Sequence, residues 1–295
     1  MLKRNLHQGL ISLKILLIIF VVIEASYEQL DHQHSHKPLS KHFVLVHGSC
    51  LGAWSWYKLL PLLKSSGHTV TAIDLAASGI NPLQPNDLQS ISEYFQPLAD
   101  LMVSLPSDER VILVGHSLGG LAISHAMQHF PDKISAGVFV TAQMPGPNLN
   151  VSILSQELLN RSGPGLDNKF MYNNGPNNTP TTFLFGPNFL SQKVYDLSPP
   201  EDIALASTLM RPLRLFSMQD MSEVIVLTDQ KYGSVPRVYI ISEEDKITDK
   251  EVERWMLKKN PPNRVEKIKG SDHMVMVSQP LQLWVHLQSI AADFD

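Results

Sequence analysis

The stretch RVILVGHSLGGLAISHAM, residues 110–127, constrains the fold of this chain more than any other. Its first part, VILV, is an apolar β-branched run that reads as a buried strand, and LAISHAMQHF has the apolar spacing of a helix. Between them stands G-x-S-x-G: Gly115, His116, Ser117, Leu118 and Gly119. A strand that turns into a helix within so few residues needs small neighbours on both sides of the turn, and the residue at the apex is then pushed out with its side chain exposed. Ser117 occupies that apex. A bare G-x-S-x-G recurs by chance, and it is the strand–turn–helix context that makes Ser117 a candidate nucleophile. The free N–H groups at the start of the following helix point toward such a serine, so the turn also brings an anion-stabilising site.

The rest of the chain supports one large α/β core. At 295 residues with 43% hydrophobic content it can bury such a core together with an inserted subdomain. A formal net charge of −4 without any Lys/Arg-rich run argues against nucleic acid as a partner. Cys50 is the sole cysteine, which excludes an intramolecular disulfide and a cysteine-based zinc site.

The N-terminus has a different character. Lys3 and Arg4 precede an apolar run over residues 15–23, and Ala25 follows as a small residue suited to cleavage. The run is shorter than the roughly 20 residues that span a bilayer. The expectation is a signal peptide over residues 1–25, or, second, an uncleaved anchor reaching back through Leu10 to Leu13. A membrane partner follows only from the anchor. Secretion or residence in the endomembrane system follows from the signal peptide, with the cytoplasm as the alternative, and the sequons at Asn150, Asn160 and Asn177 fit the former. Residues 26–40 read as a polar linker, in which His32, His34 and His36 are solvated rather than metal-bound.

From residue 41 strands and helices alternate. HFVLVHG, HTVTAIDL, VILVGH and KISAGVFVTA read as strands; AWSWYKLLPLLKSSG, LQSISEYFQPLADLMVSL and the segment after Ser117 read as helices. Such β-α-β repeats predict a mostly parallel sheet with helices on both faces, whose ligand lies beyond the carboxyl ends of the strands. The alternation stops over residues 143–217, rich in Pro, Asn and Gly, with amphipathic segments at 152–159, 188–195 and 201–209. A structureless loop of that length is uncommon in a compact domain, so the segment reads as an inserted lid dividing a core of residues 41–142 and 218–295. RVYIIS, a helix near 249–258, RVEKIKG and a final helix at about 279–292 complete the core.

A serine nucleophile needs a base and a group that orients the base. In a doubly wound hydrolase they follow in the order acid then histidine, each at the end of a later strand. RVYIIS ends at Glu243, Glu244 and Asp245, all three eligible. His273 stands in the loop after the last strand and is the candidate base. His47 precedes the serine and reads as a brace for its turn; His116 reads as directed away from Ser117; His125 and His129 read as ordinary helix residues. Gly48, after the first strand, lets the backbone approach a reacting carbonyl, and the N–H groups of Ser49 and Leu118 can face its oxyanion.

HFVLVHGSCLGAWSWYKLLPLL, GHTVTAIDLAASGINP, VILVGHSLGG, LSPPEDIALASTLMRP, YGSVPRVYIISEEDK and GSDHMVM together resemble the plant methylesterases of the α/β-hydrolase superfamily, from about Lys41 to the C-terminus. Relatives there include methyl salicylate and methyl jasmonate esterases, polyneuridine aldehyde esterase and hydroxynitrile lyases. The resemblance implies an α/β-hydrolase fold with a lid, a triad of Ser117, Asp245 and His273, oxyanion amides from Ser49 and Leu118, and a small-molecule methyl ester as substrate. It implies no metal and no cofactor, and leaves a homodimer open. Most such relatives lack a leader.

Two positions separate the chemistries within that family. Lyases of the rubber-tree type carry threonine at the position of Gly48 and lysine at that of Met274, so this chain resembles the esterases. Many salicylate-type members carry histidine where this chain has Leu51 and tryptophan near Gly165, so Gly48, Leu51 and Met274 are the substrate-binding candidates. The lid segments PGPNLN and NNGPNNTPTT resemble methyl jasmonate esterases. The implied order is methyl jasmonate, then methyl salicylate or methyl indole-acetate, then a larger metabolite. The alternatives are a hydroxynitrile lyase and a carboxylate binder or receptor without turnover.

Overall fold

A computed structural model of the chain describes residues 40–294. The expected leader, and the linker apart from Ser40, lie outside the described residues. The strands in chain order are β1 His42–Val46, β2 Thr69–Ile73, β3 Val111–His116, β4 Ile134–Val140, β5 Lys169–Met171, β6 Thr182–Leu184, β7 Leu213–Arg214, β8 Arg237–Ser242 and β9 Arg264–Ile268. The principal helices are α1 Leu59–Ser65, α2 Ile91–Ser104, α3 Gly119–His129, α4 Val151–Asn160, α5 Pro200–Leu209, α6 Met218–Val224, α7 Lys250–Lys259 and α8 Pro280–Asp293. No helix among the described residues is long and apolar enough to cross a membrane.

Successive side chains of a strand point to opposite faces, and here both faces are covered. Val44, Val46, Val111 and Leu113 pack against Phe95 and Leu98 of α2, Leu121 and Met127 of α3 and Met256 of α7. Phe43, Leu45, Ile112 and Val114 pack on the other side against Leu59 and Leu63 of α1 and Leu283, Leu287 and Ile290 of α8. Burial on both faces is why these strands are continuous apolar runs. The edge strand β9, by contrast, alternates between more and less exposed residues.

The large sheet is entirely parallel, in the order β2-β1-β3-β4-β8-β9. The chain runs outward from β1 to β2, then returns across β1 to β3, so a crevice opens between the carboxyl ends of β1 and β3. Register fixes what meets there. Val46 pairs with Gly115. Gly48 and Ser117, each two residues further on, therefore emerge side by side.

Between β4 and β8 the chain leaves this sheet. It forms α4, an antiparallel sheet in the order β5-β6-β7, a π-helical turn at Leu190–Val194, α5 and α6. The amphipathic segment at 188–195 is thus a short helix, Pro187–Phe189, continued by the π turn. The three short strands and α6 had no expectation from the sequence. AWSWYKLLPLLKSSG is also divided, into a 3₁₀ turn at Ala53–Trp56 and α1 from Leu59. Pro61 explains the division, because a proline lacks the N–H that a continuous helix from Ala53 would need and is tolerated only in the first turn.

Candidate active site

Ser117 adopts φ 53°, a left-handed conformation that a residue with a Cβ rarely takes. The glycines around it make the turn sterically feasible. A Cβ on Gly115 would stand 2.8 Å from the carbonyl oxygen of Gly119, and one on Gly119 would stand 2.6 Å from that of His47. α3 can therefore start directly against the end of β1. The turn is tied down by Ser117 N–H donating to the Val140 carbonyl at 3.3 Å and by Gln143 N–H donating to the Ser117 carbonyl at 3.0 Å.

The carboxyl ends of β8 and β9 bring the other candidates together. His273 Nδ1 lies 3.1 Å from each carboxylate oxygen of Asp245, and both side chains are buried. Burial by itself would push the Asp245 carboxyl upward, but the His273 ring, the Ile247 N–H and Lys250 outweigh it and hold it below the ordinary value. An ionised carboxylate accepts only, so Nδ1 carries a proton, and in the neutral imidazole the lone pair is then on Nε2. The two competing acids are placed elsewhere. Glu244 accepts from the N–H groups of Gly270 and Ser271 and so braces the loop that carries His273, while Glu243 is exposed.

Three further groups fix His273, and none of them was evident from the sequence. His116 Nε2 donates to the His273 carbonyl at 2.9 Å, with the two ring centroids 4.8 Å apart. Burial, with the neighbouring His273, lowers the His116 pKa to about 3, so its ring stays neutral. The Thr141 hydroxyl approaches the same carbonyl at 3.4 Å. Asp272 accepts from the N–H of Met274 at 2.9 Å, and from the N–H of Leu197 and hydroxyl of Ser198 at 3.0 and 2.7 Å. It thereby pins the histidine loop to the chain just before α5.

A cavity of about 560 Å³ opens at this edge of the sheet, with Ser49, Ser117 and Leu118 in its wall. Among the described residues, the backbone N–H groups of Ser49 and Leu118 have no acceptor within the protein. Leu158, Leu159, Phe170, Phe183, Leu213 and Phe216 make much of the remaining wall apolar. Gly48, Leu51 and Met274 are not part of that wall. Leu51 and Met274 are packed in the core cluster on the α1/α8 side, and Gly165 is exposed. Gly48 acts through closeness: a Cβ there would stand 2.9 Å from His116 Nδ1 and 2.9 Å from Ser117 Cβ. His47 braces its turn, Nδ1 donating to the Gly48 carbonyl at 2.8 Å while Nε2 accepts from Leu75 N–H at 3.1 Å. Among the described residues no group of three or more His, Cys, Asp or Glu side chains is placed to hold a metal ion.

Residues 43–286 match the profile of the alpha/beta hydrolase family. Methyl jasmonate esterase 1 of Vitis vinifera is 50% identical over 255 residues, 86% of this chain and 98% of that protein. Salicylic acid-binding protein 2 of Nicotiana tabacum is 46% identical over 257 residues, again 86% and 98%. Among solved structures, tomato methylketone synthase I complexed with 2-tridecanone is similar at a TM-score of 0.84 and 50% identity, covering 87% of this chain and 100% of that one. With such identity over nearly the whole length of each relative, the chain belongs to the α/β-hydrolase family and, within it, to the plant methylesterases, which makes it a carboxylic ester hydrolase acting on small plant metabolites.

Proposed function

We propose that the enzyme hydrolyses methyl esters of small plant metabolites, methyl jasmonate first, through an acyl-enzyme on Ser117. The observation that carries this reading is the pair of unpartnered amides, Ser49 N–H and Leu118 N–H, in the wall of the cavity that also holds Ser117. Backbone donors left without an acceptor beside a strained serine suit an oxyanion that exists only during reaction, and one such donor is typically worth 10²–10³ in rate.

In the proposed sequence Ser117 Oγ attacks the ester carbonyl while His273 Nε2 takes its proton, and the carbonyl oxygen becomes the oxyanion held by the two amides. Collapse of the tetrahedral intermediate expels the methoxy group, which leaves as methanol with the proton from His273. Water then attacks the acyl-enzyme, again giving its proton to Nε2, and the carboxylic acid departs with Ser117 restored. Asp245 keeps the imidazole in the tautomer that leaves Nε2 free and stabilises the imidazolium. No step uses a metal or an organic cofactor.

The apolar wall suits a hydrocarbon body, and the volume is in the range of small-molecule sites. Similarity to a methyl jasmonate esterase supports placing methyl jasmonate ahead of methyl salicylate, methyl indole-acetate and larger esters. Release of methanol from a panel of these esters tests class and substrate together. Hydrolysis of none of them, or faster release of cyanide from a cyanohydrin, would overturn the reading.

A further inference from the structure

The cavity wall contains an acidic residue that the proposed mechanism does not use. Val252, Glu253 and Met256, on one side of α7, all line it, and Glu253 is only 2% exposed. Its carboxyl is poorly served by the protein. Oε1 receives the Tyr239 hydroxyl at 3.4 Å, and Oε2 lies 3.8 Å from Lys250 Nζ, which is itself committed to the Ser242 carbonyl at 2.5 Å. A buried carboxyl has acceptor capacity for several hydrogen bonds and, when protonated, one O–H to donate, so leaving it with a single long contact is costly. The same wall holds a second unfinished group, the buried and unpartnered Oε1 of Gln143.

The charges around Glu253 decide its protonation. Tyr239 faces it from β8 and Asp245 from the loop beyond, while Lys250 and Arg254 share its helix. Arg161, at the end of the neighbouring α4, is engaged by Glu251, Asp249 and Glu157. Burial, opposed by Lys250 and reinforced by Asp245, moves the Glu253 carboxyl up to about 7. Below that pH it is a neutral hydrogen-bond donor in a largely apolar wall.

We propose that Glu253 determines specificity by hydrogen-bonding a second oxygen of the substrate, a ketone or comparable carbonyl remote from the scissile ester. The site then favours methyl esters of oxo acids over their plain alkyl counterparts. This rests on the esterase reading above and narrows it, and the ring ketone of methyl jasmonate is one such acceptor. Protonated, Glu253 donates to the ketone. Ionised, it presents a lone pair to a lone pair, and the advantage disappears.

The test compares kcat/KM for methyl jasmonate and for its deoxo analogue, in which a methylene replaces the ketone, at about pH 6 and about pH 8. Taking the ratio of the two substrates cancels the titration of groups common to both reactions. For the unaltered enzyme the expected ratio is roughly tenfold in favour of the ketone at the lower pH, the scale of one buried hydrogen bond, and falls toward one at the higher pH. Glu253→Leu is expected to bring the ratio close to one at both values. Glu253→Gln, close in shape and still a donor, is expected to keep the preference but lose its pH dependence. Equal hydrolysis of the two esters by the unaltered enzyme would overturn the inference and leave the esterase reading standing, as would a preference that survives in Glu253→Leu. If neither ester is hydrolysed, the substrate reading fails and the inference fails with it.

Discussion

Asp245 offers both of its carboxylate oxygens to Nδ1 of His273, at 3.1 Å each, in a site from which solvent is almost excluded. The two residues come from the ends of different strands, and the carboxylate fixes which ring nitrogen holds the proton. Asp245→Asn keeps the shape but presents an amide N–H or a neutral oxygen, so the imidazole is free to take the wrong tautomer. The expected result is a fall in kcat of about 10³–10⁴ with KM little changed, read by steady-state kinetics on a methyl ester.

Gly48 is close-packed rather than merely flexible. Because its Cβ position lies 2.9 Å from both His116 Nδ1 and Ser117 Cβ, Gly48→Thr has to displace the Ser117 turn or the His116 ring. Esterase kcat/KM is expected to fall at least about 100-fold, as for an oxyanion site put out of place. Met274→Lys acts by another route. Met274 is fully buried among apolar side chains, so an ammonium there lacks a partner, and a loss of about 3 kcal/mol or more in denaturant unfolding is expected.

Asp272 links the histidine loop to the chain before α5 through three accepted hydrogen bonds. Asp272→Ala leaves the donors of Leu197, Ser198 and Met274 without their acceptor. The expected cost is about 2–4 kcal/mol of stability, together with a reduced kcat, since the loop that aims His273 loses its anchor. Unfolding curves and kinetics on the same preparation check both.

His116 makes the fold sensitive to acid. Its ring is held neutral in the folded state, with a pKa lowered from 6.5 to about 3, whereas the unfolded chain binds a proton near the ordinary value. Between those limits the unfolded state binds more protons, so this residue makes stability rise with pH and fall on acidification. Its contribution to the slope is at most about 1.4 kcal/mol per pH unit. His116→Gln can still donate to the His273 carbonyl but does not titrate, so the unfolding free energy of this variant should depend less steeply on pH between about 6.5 and about 3, measured by denaturant titration across that range.

Much of the sheet could be read from the sequence because HFVLV, VILV and ISAGVFV are buried on both faces, and a run of apolar residues between turn signals leaves little choice. KFM, TFL and LR, the strands of the small antiparallel sheet, are too short to carry a period, and their pairing depends on contacts across long loops. Two glycines single out Ser117 as a candidate nucleophile, and its place after the last strand singles out His273 as a candidate base. The residues alone leave Asp245 level with Glu243 and Glu244, and the family resemblance points to Asp245, the one of the three that lies against His273. The contact of His116 with the His273 carbonyl, and the place of Glu253 in the cavity wall, depend on tertiary packing that no local pattern encodes.

The proposed acyl-enzyme on Ser117 is read out by methanol release from methyl jasmonate by the purified enzyme and by Ser117→Ala. Removing one oxygen at the half-buried apex of the turn leaves the hydrogen bonds of its backbone in place, so the variant should fold like the parent. The expected result is turnover by the parent and a loss of at least about 1,000-fold in the variant, the scale seen when a nucleophile is removed from such a triad. Hydrolysis by Ser117→Ala within about tenfold of the parent would rule out an acyl-enzyme on that residue.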